Sequence, residues 1–133
     1  MALLIATQCN RVEIVELLLS IPDLDVNLQD KDGFTALILA SYRGYTEIVK
    51  LLLSRSDLNV NLQTAYGDTA LIEASLYGHT DIVKFLLSRS ESSASGALQR
   101  LNVNLHDKKG RTALMWASVW GYTEIVSLLE NHK

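Results

Sequence analysis

Gly33-Phe34-Thr35-Ala36-Leu37-Ile38-Leu39-Ala40, followed by Gly44-Tyr45-Thr46-Glu47-Ile48-Val49-Lys50-Leu51-Leu52-Leu53, is the stretch that decides the fold. Thr35 suits the cap of a short helix, because its hydroxyl can accept from a free amide in the first turn. Leu37 and Ala40 then share one helical face. Gly44 closes that helix, as glycine takes positive φ without a steric penalty. Thr46 is expected to cap a second helix, with Glu47 in the first turn where a carboxylate suits the helix dipole. Ile48, Val49, Leu52 and Leu53 form its apolar face. From Asp57 onward the spacing predicts an extended connection that ends in a turn.

The same text recurs along the chain. Gly33-Phe34-Thr35-Ala36-Leu37 returns as Gly67-Asp68-Thr69-Ala70-Leu71 and as Gly110-Arg111-Thr112-Ala113-Leu114. Gly44-Tyr45-Thr46-Glu47-Ile48-Val49 returns as Gly78-His79-Thr80-Asp81-Ile82-Val83 and as Gly121-Tyr122-Thr123-Glu124-Ile125-Val126. Val26-Asn27 is repeated by Val60-Asn61 and Val103-Asn104. Gly33 to Gly67 is a step of 34 residues and Gly67 to Gly110 one of 43, so the third unit carries nine extra residues. Ala2-Leu3 through Ile14-Val15 fits the same register as a partial first unit, with Asn10 in place of the glycine. Such a unit cannot bury its apolar face alone, whereas stacked units bury a continuous core. The chain reads as one all-α domain over 1–133, a solenoid of four stacked helix-turn-helix units joined by extended turn fingers. The units cover about 1–29, 30–63, 64–106 and 107–133, with an insert at about 91–99.

These motifs resemble the ankyrin repeat, and the resemblance covers nearly the whole chain apart from the insert. The family's usual proline after the threonine is Ala36, Ala70 and Ala113 here, and its usual histidine is Ile38, Ile72 and Met115. Alanine is a strong helix former, so the helix start survives the first change. The second removes a polar tie between units. A tetratricopeptide array has a similar period. It needs longer first helices than glycines about 11 residues apart allow.

Composition narrows the function. A formal net charge of -3 lacks the basic balance of a nucleic-acid binder. No apolar run reaches the roughly 18 residues of a membrane span, and the start lacks the basic segment of a signal peptide. Cys9 is the only cysteine and can form no internal disulfide, which predicts an intracellular, cytoplasmic setting. The insert region, Ser88 to Arg100, is rich in serine and reads as a flexible loop. Both ends look cut, and Leu3, Leu4 and Ile5 lack a preceding unit to cover them. A fragment of a longer array is expected.

No catalytic or metal pattern emerges. The glycines follow the repeat, not a phosphate-binding loop. His79, His106 and His132 have no zinc spacing, and His79 stands where other units place Tyr45 and Tyr122, which implies a structural role. Asp30 and Asp32 lie on a turn, where solvation is expected. The chain is expected to be no enzyme and to use no cofactor.

The resemblance implies a concave partner surface made by the turn tips and the exposed side of each first helix. Carried over, the tip positions are Lys31, Asp32 and Phe34; Ala65, Tyr66 and Asp68; and Lys108, Lys109 and Arg111. The helix positions are Leu39, Tyr42 and Arg43; Glu73, Leu76 and Tyr77; and Trp116, Val119 and Trp120, with Ile5, Gln8 and Cys9 in the first unit. Six of the nine aromatic residues fall in these sets, and interface centres favour Tyr, Trp and Arg. Asp68 and Glu73 are expected to make the middle acidic. Lys108, Lys109 and Arg111 make the last unit basic, suited to an acidic group beside an apolar anchor. The function implied is a protein-interaction scaffold that binds a protein or peptide, with neither nucleic acid, membrane nor small-molecule substrate. The alternative is a regulatory or targeting segment of a larger polypeptide that carries an enzyme. Asn27 and Asn61 each follow a leucine by eight positions, resembling sites of the asparaginyl hydroxylase that modifies this family, but the favoured expectation is that both asparagines only stabilise the turn.

Overall fold

The computed structural model describes residues 1–89 and 100–132. The insert assigned to about 91–99 lies outside the described residues. Eight helices follow in order among them: α1 (Ala2–Gln8), α2 (Val12–Leu19), α3 (Ala36–Arg43), α4 (Thr46–Leu53), α5 (Ala70–Leu76), α6 (Thr80–Ser88), α7 (Ala113–Trp120) and α8 (Thr123–Glu130). None is long and apolar enough to cross a membrane.

The first helix of each complete unit starts as its sequence requires. The Oγ1 atoms of Thr35, Thr69 and Thr112 accept from the amides of Ile38, Ile72 and Met115 at 3.1, 3.1 and 3.3 Å. Gly44 ends α3 at φ 80°. Asn10, at φ 55°, is the one non-glycine residue with positive φ among those described, in keeping with the side chain's tolerance of that region. The second helices start differently from the expectation. Thr46 is already inside α4, Tyr45 holds the cap position, and no side chain caps the helix. The turn after Gly44 is too tight to leave Thr46 outside: its amide donates to Gly44 O at 3.0 Å, while Tyr45 O takes the first helical bond, from Val49 N at 3.1 Å.

Helices α1, α3, α5 and α7 stack in one row, α2, α4, α6 and α8 in another, and each first helix packs on the second helix of its own unit. Leu37, Ile38, Ile48, Leu52, Leu71, Ile72, Ile82, Leu86 and Ile125 fill the space between the rows, each fully buried. A fully buried aliphatic side chain of this size stabilises by about 1.5–3 kcal/mol. Ile38 and Ile72 thus replace the lost polar tie with apolar packing. Leu3 and Leu4 are buried too, contrary to expectation, because α3 covers them from the next unit; Ile5 remains exposed.

Two arginines stitch the units. Arg55 donates to the carbonyls of Leu19 and Leu24 at 3.0 Å each and of Ile21 at 3.3 Å. Arg89 repeats this one unit on, reaching Leu53, Arg55 and Leu58 at 3.1–3.2 Å. Leu19 O and Leu53 O are the last carbonyls of α2 and α4 and have no partner inside the helix; the other acceptors lie in the connections that follow. Ser88 and Arg89, read from the sequence as the start of the loop, therefore belong to α6 and to a buried inter-unit contact.

In the fingers, one residue organises each turn. Asp30 Oδ1 accepts from the amides of Asp32 and Phe34 at 2.9 Å. Thr64 Oγ1 accepts from Tyr66 and Asp68 at 3.2 Å, and Asp107 Oδ1 from Lys109 and Arg111 at 2.9 Å. Asp30 is thus a turn-forming acceptor, not merely a solvated charge. Neighbouring fingers are joined by Ala65 N to Asp32 O at 2.8 Å and Lys108 N to Tyr66 O at 3.1 Å. Gly67 is required at this joint, since a Cβ there would come within 2.8 Å of Asp107 and Lys108 backbone.

Candidate binding surface on the fingers and first helices

The sequence-predicted positions lie along the fingers and first helices but differ widely in access. Lys31, Asp32, Arg43, Lys108 and Lys109 are exposed, and Phe34, Leu39, Asp68, Leu76, Arg111 and Trp116 are half-buried. Tyr66, Tyr77 and Trp120 are 61%, 48% and 57% exposed. Glu73 is a correction: at 5% exposure it is not part of an acidic surface.

Tyr42 and Tyr77 meet edge-to-face with ring centroids 5.0 Å apart, joining the second and third units. His79 stacks against Tyr77 at 6.5 Å and its Nε2 lies 3.1 Å from Tyr42 O. Arg43 sits 5.4 Å over the Tyr42 ring. Tyr42 is half-buried in this cluster, so only Tyr77 presents a broad face. His79 has the structural place its repeat position implied.

Asp68 and Glu73 are neighbouring carboxyls, with Glu73 buried and Asp68 half-buried. Burial, then the hydrogen bond to Asp68 and the charge of that carboxylate, push Glu73 up to about 8. Burial also raises Asp68, against the hydrogen bond from Glu73. At neutral pH Glu73 keeps its proton, because two close carboxylates in a poorly solvated site cannot both ionise cheaply.

In the last unit the same two repeat positions hold Arg111 and Trp116. The Arg111 guanidinium lies 4.3 Å over the Trp116 ring, and its Nε donates to Asp107 Oδ2 at 2.9 Å. Trp116 Nε1 donates to the same oxygen at 3.3 Å. Burial pushes the Asp107 carboxyl up, but the amides of Arg111 and Lys109 and the two side-chain donors together hold it below the usual carboxylate range. Asp107 organises this end of the surface, and the sequence reading passed over it. The available signal was its identity with Asp30 at the same repeat position.

Between the third and fourth units these groups enclose a cavity of about 200 Å³, lined by Tyr66, Asp68, Leu76, Asp107, Lys108, Lys109, Arg111 and Trp116. Among the described residues no group of three or more His, Cys, Asp or Glu stands where it could hold a metal.

Asn27 and Asn61 sit in inter-unit contacts. Asn27 Nδ2 donates to Asp57 O at 2.9 Å and its Oδ1 accepts from Asn59 N at 2.7 Å. Asn61 does the same with Arg100 O at 2.7 Å and Asn102 N at 2.8 Å. Their side chains tie consecutive turns together.

A family model described as ankyrin repeats in three copies matches residues 3–96 and 59–133. No curated protein matches the chain.

Proposed function

From the premise that the chain belongs to the ankyrin repeat family, whose members are generally protein–protein interaction modules, we propose that it is a non-enzymatic scaffold holding a partner protein on a concave face made by the fingers and first helices. One observation carries this reading. Every exposed aromatic side chain among the described residues, Tyr66, Tyr77 and Trp120, lies on that side. Tyr45, Phe85 and Tyr122, at the second helices, are all packed against the core. Aromatic rings left in water are costly, and at interfaces they bring large contact area at low entropic cost.

The test uses a partner captured from native cell extract. Tyr66→Ala or Tyr77→Ala should weaken binding by about 2 kcal/mol if the ring is an anchor. Lys50→Ala, on α4, should change it by less than about 0.5 kcal/mol. Circular dichroism should be unchanged in all three. Full binding by both tyrosine variants would move the site off this face.

A further inference from the structure

We propose that the cavity between the third and fourth fingers takes an acidic side chain of the partner protein flanked by an apolar one; this rests on the reading above that a protein binds this face. The walls supply the apolar half of the recognition through Tyr66, Leu76 and Trp116. The charges decide the polar half. Lys108 and Lys109 are exposed and form no ion pair among the described residues, and Arg111 has Nε committed to Asp107 with no other guanidinium hydrogen bond among them. Against these three cations stand Asp107 and at most one charge on the Asp68–Glu73 pair, because Glu73 keeps its proton. The cavity is therefore net cationic at neutral pH. A carboxylate entering beside Trp116 would meet cations at the rim, the arrangement in which electrostatic complementarity selects a partner.

A basic side chain is the competing occupant, since Asp68 lines the cavity. It would have to pass Lys108, Lys109 and Arg111, and to draw strongly it would need the Glu73 proton expelled. The corresponding joint one unit earlier has Ala65, Tyr66 and Asp68 where this one has Lys108, Lys109 and Arg111. Selection for an acidic group thus belongs to this joint and is not a general property of the repeat.

The Glu73 proton makes the selection depend on pH. The groups facing Glu73 are Asp68 and Tyr77 of its own unit, with Tyr42 of α3 beyond Tyr77 and Asp107 and Arg111 of the fourth finger beyond Asp68. Helix α7 has no titratable side chain, and Asp81 and Lys84 of α6 are exposed. Loss of the proton above about 8 adds a negative charge next to the cavity and weakens its hold on a carboxylate.

Three acetylated, amidated peptides serve as probes: Gly-Glu-Glu-Leu-Phe-Gly and its versions with glutamines or lysines in place of the two glutamates. Each is titrated into the whole chain and followed by nitrogen–proton correlation spectra. The acidic peptide should shift the Trp116 indole and the Tyr66 and Lys109 amides, and bind about fivefold or more tighter than the glutamine peptide. The Lys108→Glu/Lys109→Glu double variant, altered only at an exposed tip, should lose that preference. Raising the pH from 7 to 9 should weaken acidic-peptide binding about threefold. Glu73→Gln, which keeps a donor for Asp68, should abolish the pH effect. Tighter binding of the lysine peptide at these signals overturns the proposal, as does the absence of saturable shifts at millimolar peptide or survival of the pH effect in Glu73→Gln. Shifts centred on Tyr42 and Tyr77 would sink this inference and leave the binding face standing. Shifts confined to α2, α4 and α6 would remove both.

Discussion

The third and fourth units use the same two repeat positions in opposite ways. One unit places Asp68 and Glu73 there, the other Arg111 and Trp116; the second unit has Phe34 and Leu39. The carboxyl pair of the third unit is stabilised by a retained proton. The cationic pair of the fourth is stabilised by a buried anion, Asp107, which serves Arg111 and Trp116 together. The repeat demands that these positions touch their surroundings compatibly, and leaves the chemistry open. An interaction module can therefore vary its surface here without disturbing the Leu37, Ile48 and Leu52 type of core, which depends on other positions.

The largest effect should come from removing the anion. Asp107→Ala deletes an acceptor of two amides, an indole and a guanidinium at once, and should cost about 3 kcal/mol in urea unfolding. Thr64→Ala, at the same position of the third unit, loses two weaker bonds and should cost about 1 kcal/mol. Equal costs would mean that Asp107 matters only as a turn former. Because Asp107 is held below its ordinary range, its contribution is present at neutral pH and is lost as the pH falls through its folded value.

Glu73 should show the reverse sign. Its folded value lies above the unfolded one, so its contribution is complete in acid and is lost as the pH rises towards about 8. Glu73→Gln should be close to the parent at pH 5 and about 2 kcal/mol more stable than it at pH 9, measured by urea unfolding at both. Parallel pH profiles for parent and variant would show that the pair holds no proton at neutrality, and would erase the contrast between the two units.

The smallest effect tests the indole. Trp116→Phe keeps a ring under Arg111 but removes the 3.3 Å bond to Asp107, and should lower stability by about 0.5–1 kcal/mol. A loss near that of Asp107→Ala would instead make the tryptophan, not the aspartate, the organiser of the fourth unit.

Much of this was legible residue by residue. Thr35, Thr69 and Thr112 cap because a hydroxyl and an amide three residues apart meet whatever surrounds them. Thr46 misled because the same residue type, two positions past a left-handed glycine, lies within the helix. Glu73 misled for another reason. Its place on a first helix matched a surface position, and its burial exists only once the neighbouring units have closed around it.

The order of units, the caps made by Thr35, Thr69 and Thr112 and the apolar rows were determined by the sequence alone, since each rests on groups close along the chain and on a period repeated along it. Only the tertiary structure decided that Arg55 and Arg89 join carbonyls 31–36 residues away in the preceding unit, that Tyr42 is shielded by Tyr77, and that Glu73 retains a proton. These properties depend on which groups come within a few ångströms after stacking, and on how much water stacking removes from around a charge.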